Sequence, residues 1–95
     1  MSENKIYVGQ HVILTLDSKI NLEDASSLEI RWLKPGSDTP VTGNTATADG
    51  NSAVFTLTPT ILDTAGTWRF YIYAVISSKT YFGETKKIEV YEIGE

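Results

Sequence analysis

The sequence predicts an all-β chain, an antiparallel β-sandwich of about seven short strands in one domain. Three observations carry that expectation. Apolar residues alternate with a period of two along most of the chain. Turn-forming clusters recur about every 8–12 residues. No window carries a capped helical period.

The elements follow in order. Lys5–Val8 reads as a short first strand closed by Gly9. His11–Leu16 places Val12, Leu14 and Leu16 on one face and His11, Ile13 and Thr15 on the other. Asp17–Ser27 is polar apart from Ile20, Leu22 and Ala25 and reads as a long connection. Leu28–Lys34 turns Leu28, Ile30 and Trp32 inward and Glu29, Arg31 and Leu33 outward. Pro35-Gly36 opens a turn that runs to Pro40. Val41–Thr47 is a weak strand, polar enough for a sheet edge, and Asp49-Gly50-Asn51 is a hairpin signal. Ser52–Thr58 follows, with Ala53, Phe55 and Leu57 inward, until Pro59 stops it. Thr60–Gly66 forms a corner with Leu62 inward. Thr67–Ile76 is the strongest strand: Trp68, Phe70, Ile72, Ala74 and Ile76 share one face, and Arg69, Tyr71, Tyr73 and Val75 share the other. After a tight turn at Ser77-Ser78-Lys79, a last strand spans Thr80–Tyr91 with Ile88 and Val90 inward. Gly83 within it signals a bulge or a close approach.

Composition narrows the chemistry. The chain has 95 residues, 8 Lys+Arg against 12 Asp+Glu, one His and no Cys. A chain of this size supports one thin core and no deep catalytic cavity. Without cysteine there is no disulfide, no thiol nucleophile and no thiolate metal site. The net charge of −4 argues against nucleic acid as a partner, which needs clustered Lys and Arg. Met1–Lys5 lacks a following apolar segment and so reads as no signal peptide. The apolar run Phe70–Ile76 is far shorter than the ~20 residues that span a bilayer.

Two resemblances add to this reading. The corner Leu62-Asp63-Thr64-Ala65-Gly66-Thr67-Trp68-Arg69-Phe70 resembles the E–F corner of immunoglobulin-like domains. Trp68 stands where such domains carry a tyrosine, and Phe70 where antibody domains carry a disulfide cysteine. Trp32 matches their buried tryptophan. The resemblance implies an immunoglobulin-like sandwich with no disulfide, its core pinned by Trp32 against Phe70 and Leu14.

The second resemblance spans nearly the whole chain. Tyr7-Val8-Gly9, Leu16-Asp17-Ser18, Leu28–Gly36, Asp63–Trp68 and Tyr81-Phe82-Gly83-Glu84-Thr85 followed by Ile88-Glu89-Val90-Tyr91 are similar to a family of small phage virion-associated proteins with no assigned enzymatic activity. After Pro35 the chain departs from that family's Asp-Gly with Gly36-Ser37-Asp38. The resemblance implies a head decoration protein, a neck or tail accessory, or a baseplate module. Its partners would be capsid, neck or tail proteins and further copies of itself. It would be made in the host bacterial cytoplasm and end in the virion.

Candidate sites are few. His11 is the sole histidine, and no G-x-S-x-G elbow accompanies it, so no nucleophilic triad is expected. Asp17, Glu23 and Asp24 cluster in one connection without the spacing of a calcium loop, and read as solvated acids. No catalytic residue, metal or cofactor is expected. Asp63 is expected to brace the corner through side chain-to-backbone hydrogen bonds, with Gly66 at its bend. The indole N–H of Trp68 is expected to seek a backbone carbonyl. Tyr71 and Tyr73 face outward, and Arg31, Leu33, Thr85, Lys87, Glu89 and Tyr91 are expected to share their face. Tyrosine, arginine and leucine together form a composition suited to a protein interface. Two other readings of that face remain: cross-strand tyrosines that simply stabilise the sheet, or a stacking platform for a glycan on a host surface.

Overall fold

The computed structural model describes residues 6–94. Lys5, the predicted start of the first strand, and the rest of Met1–Lys5 lie outside the described residues. The described chain is all-β, with β1 (Ile6–Tyr7), β2 (Val12–Asp17), β3 (Ser27–Leu33), β4 (Thr47–Asp49), β5 (Ser52–Leu57), β6 (Gly66–Ile76), β7 (Lys79–Phe82) and β8 (Lys86–Tyr91). No helix in it is long and apolar enough to cross a membrane.

The strands form two sheets. One has the order β1-β8-β6-β3, with β7 also paired to β6, and the other has the order β2-β5-β4. Pairing is antiparallel except where β1 runs parallel to β8. The inward residues of both sheets meet in one core. Leu14, Leu16, Ala53 and Leu57 come from one side, and Ile30, Trp32, Trp68, Phe70, Ile72, Ala74 and Val90 from the other. The Trp32 ring lies 5.9 Å from Phe70 and 5.7 Å from Phe55 between centroids. Leu14 sits opposite Phe55 in the β2–β5 ladder. Burial of each leucine, isoleucine, valine and phenylalanine among them contributes about 1.5–3 kcal/mol, and this burial is the main force holding the sheets together.

Two predicted strands are not continuous. Over Val41–Thr47 the chain makes isolated bridges, Val41 to Trp32 and Thr45 to Glu29, then crosses to the other sheet as β4. This stretch has only Val41 and Ala46 to bury and passes through a positive φ of 84° at Gly43, so it cannot hold one extended ladder. It still covers the edge of β3, through Val41 N–H to the Trp32 carbonyl at 2.8 Å and Ala46 N–H to the Leu28 carbonyl at 2.9 Å.

The predicted strand Thr80–Tyr91 divides in two. β7 pairs with the C-terminal half of β6, from Tyr73↔Phe82 to Ile76↔Lys79, while β8 pairs with the N-terminal half, from Gly66↔Val90 to Phe70↔Lys86. Between these registers β6 spends Tyr71 and Ile72 against Gly83, Glu84 and Thr85, one residue more. That extra residue is a bulge, and it inverts which face each side chain takes. The bulge is tight: Gly83 N–H donates to the Ile72 carbonyl at 3.0 Å, and a Cβ on Gly83 would lie 3.2 Å from the Ile72 Cβ.

Candidate functional site: an aromatic and arginine cluster on the outer sheet face

Tyr71 and Tyr73 point away from the core because Phe70, Ile72 and Ala74 on the same strand are buried. Arg31 stands opposite Tyr71 and Glu29 opposite Tyr73 across the β3–β6 ladder. On the other flank Phe82 stands opposite Tyr73. The Arg31 guanidinium carbon lies 3.7 Å from the centroid of the Tyr73 ring, within cation–π range. Arg31 Nε donates to Glu29 Oε1 at 3.0 Å, and the Gly43 N–H donates to the same oxygen at 3.1 Å. These two donors, Arg31 first, hold the Glu29 carboxyl below its ordinary pKa. The ring centroid of Phe82 is 6.1 Å from that of Tyr71 and 5.7 Å from that of Tyr73, tilted 53° to each.

The predicted face is therefore divided. Arg31, Tyr71 and Tyr73 come together, and half-buried Leu33 continues the same face one step along β3, opposite Arg69. Tyr91 does not join them. It pairs with Tyr7 of β1, ring centroids 6.4 Å apart, at the far end of the sheet where β8 runs beside Gly66 and Thr67. Between the two aromatic groups the face is polar, with Thr67 Oγ1 donating to Glu89 Oε1 at 2.6 Å.

Phe82 is the member that strict alternation misses. Ile88 and Val90 face the core, so alternation would also turn Phe82 inward, yet the bulge at Gly83–Thr85 leaves it 63% exposed beside the tyrosines. The sequence signal was Gly83 itself, which marks where the alternation resets.

The motif-bearing corner lies elsewhere and is structural. Lys34 Nζ sits 3.0 Å from the Asp63 carboxylate and 5.9 Å from the centre of the Trp68 ring. Thr64 Oγ1 donates to Asp63 Oδ1 at 3.0 Å, and Trp68 Nε1 donates to the Thr64 carbonyl at 2.8 Å. Pro35 packs on Gly66, where a Cβ would meet its ring at 2.8 Å. The Lys34-Pro35-Gly36 turn and the Asp63–Trp68 corner are thus two halves of one clasp. Asp63 is expected to use backbone donors, but its main partners are the Lys34 and Thr64 side chains.

Lys34, then Thr64, draws the Asp63 carboxyl below its ordinary value of 3.8 despite some opposing desolvation. A lowered folded pKa contributes stability that is present above 3.8 and is lost as pH falls through the folded value. Asp63→Asn is expected to lower stability at pH 7 by less than about 1 kcal/mol, since the pair is well exposed. Chemical unfolding curves of variant and parent should converge in acid; a gap that persists there would assign Asp63 a role other than this ion pair.

His11 is exposed ahead of β2. Among the described residues no group of three or more His, Cys, Asp or Glu side chains is placed to hold a metal ion. Compared with protein-family models, curated proteins and solved structures, the chain matches none.

Proposed function

We propose that this chain is a non-enzymatic, immunoglobulin-like β-sandwich that assembles onto a phage particle, as a head decoration protein, a neck or tail accessory, or a baseplate module. The strand order supports the fold reading: β2-β5-β4 against β8-β6-β3 is the arrangement that immunoglobulin-like domains carry as B-E-D against G-F-C. Trp32 on the third strand and the Trp68 corner bond add to it.

The observation that carries the functional reading is the cluster of Tyr71, Tyr73, Phe82 and Arg31 on an outer sheet face. A phenylalanine 63% exposed, flanked by tyrosines and an arginine already held by Glu29, has the composition of an interface centre. Its organisation favours a protein over a sugar. Glycan stacking needs an open, flat ring, whereas the Tyr73 ring carries Arg31 and both tyrosines tilt against Phe82.

The test is incorporation of variants into particles of the encoding phage. Tyr73→Ala with Phe82→Ala is expected to fold, because neither side chain enters the core, and to fall at least tenfold in purified particles. Undiminished incorporation would overturn the assignment of this face, and binding to a glycan array would move the function to host attachment.

A further inference from the structure

Beside the aromatic cluster, the outer sheet face carries two cations that the chain leaves unmatched. Arg69 stands directly opposite Lys87 across the β6–β8 ladder, and Leu33 stands opposite Arg69 across the β3–β6 ladder. Residues paired in this way share a face, so Leu33, Arg69 and Lys87 form a row across three strands. The row lies one step along β6 from Tyr71, a spacing of about 7 Å. Like charges directly opposite each other destabilise a sheet. No ion pair among the described residues relieves them: the pairs there are Arg31 with Glu29 and Lys34 with Asp63. Glu29 is held by Arg31 and the Gly43 N–H. Glu89 lies on the far side of the row from the aromatic cluster and accepts the Thr67 hydroxyl. Exposed Glu84, in the bulge, pairs with neither cation. A chain of net charge −4 thus sets two cations side by side next to its aromatic cluster.

We propose that the protein docked on this face is acidic, and that its Asp or Glu carboxylates bridge Arg69 and Lys87 while its apolar side chains cover Phe82 and Leu33. This rests on the docking role proposed above and adds the chemistry of the partner. A carboxylate placed between the two cations removes their repulsion, and a guanidinium offers it a planar pair of donors. Half-buried Leu33 and Tyr71 border the row, so an occupant that covers the cluster also shields this contact from solvent. Nucleic acid fits the face less well. Two cations neutralise too few phosphates. The Tyr73 ring is covered by Arg31 and both tyrosines tilt against Phe82, so the tyrosines offer stacked bases no open ring.

The test titrates the purified, isotope-labelled full chain with a capped hexaglutamate peptide and, separately, with an oligothymidylate of equal length, each followed by amide resonances. The peptide is expected to move Leu33, Arg69 and Lys87 first, and added salt to release it. Arg69→Glu with Lys87→Glu should abolish that response in a chain that stays folded, since neither side chain enters the core. Lys87→Gln should weaken peptide binding about threefold yet raise Tm by about 1–4 °C, because it relieves the repulsion. A purely structural role for Lys87 would not move binding and stability in opposite directions. Peptide shifts that avoid this row, binding that survives the double charge reversal, a Tm that does not rise in Lys87→Gln, or tighter binding of the oligothymidylate would each overturn the proposal. All are read on the isolated chain. Failure of the assembly reading is distinct, being read from particle incorporation of the Tyr73→Ala, Phe82→Ala chain.

Discussion

Trp68→Ala is expected to remove about 3–5 kcal/mol of stability, much of what holds a domain of this size together. Trp68 is fully buried, stacks on Phe70 at a 10° interplanar angle with centroids 6.0 Å apart, and donates its indole N–H to the Thr64 carbonyl. Its loss opens a cavity beneath the corner and frees the hydrogen bond that closes it. The gentler Trp68→Phe separates the two effects when set beside Trp32→Phe. Trp32 is equally enclosed, but among the described residues its Nε1 has no hydrogen-bond partner. Both changes lose similar volume, and only the first loses a bond, so Trp68→Phe should cost about 1 kcal/mol more. Urea unfolding monitored by far-UV circular dichroism measures both, because each variant keeps one tryptophan and fluorescence would compare unlike probes. Equal costs would mean that the corner hydrogen bond contributes nothing net.

Gly66→Ala is expected to cost about 2–5 kcal/mol from two separate sources. Gly66 has φ of 131°, a conformation that L residues rarely adopt, and its missing Cβ leaves room for the Pro35 ring 2.8 Å from where that carbon would lie. Neither side can yield easily: Pro35 is rigid, and Gly66 is locked by its register with Val90. Adding Pro35→Gly to Gly66→Ala removes the ring and should recover the steric share while leaving the backbone share. The pair should therefore be less damaging than the sum of its single changes. Additive costs would place the clasp between turn and corner out of contact.

How legible these features were depended on which physical signal encoded them. Period-two alternation placed Leu14, Leu16, Ile30, Trp32, Phe70 and Ile72 inward, and the structure buries all of them. It also set Tyr71 and Tyr73 outward, because burial of alternate residues on one strand leaves their neighbours no choice. Alternation failed where the register resets. One extra residue at Gly83–Thr85 moves Phe82 to the outer face, and a bulge has a positional sign in the glycine but no sign of its effect on parity. The grouping of Tyr91 with Tyr71 failed for a related reason: sharing a face fixes direction, not distance along the sheet. Lys34 and Asp63 were each legible as turn residues, yet their meeting required the β3–β6 pairing to bring the end of one strand beside the start of the other. Sequence separation hides such a contact, since neither motif carries the other's position.

On the proposed function, the Arg31, Tyr71, Tyr73 and Phe82 cluster is buried against another protein in the assembled particle. Hydroxyl-radical footprinting read by mass spectrometry tests it directly, comparing the free chain with the particle-bound chain. Strong protection is expected at Tyr71, Tyr73 and Phe82 on assembly, with Tyr7 and Tyr91 at the far end of the sheet labelled as in the free chain. Equal labelling of Tyr71, Tyr73 and Phe82 in both states would contradict it.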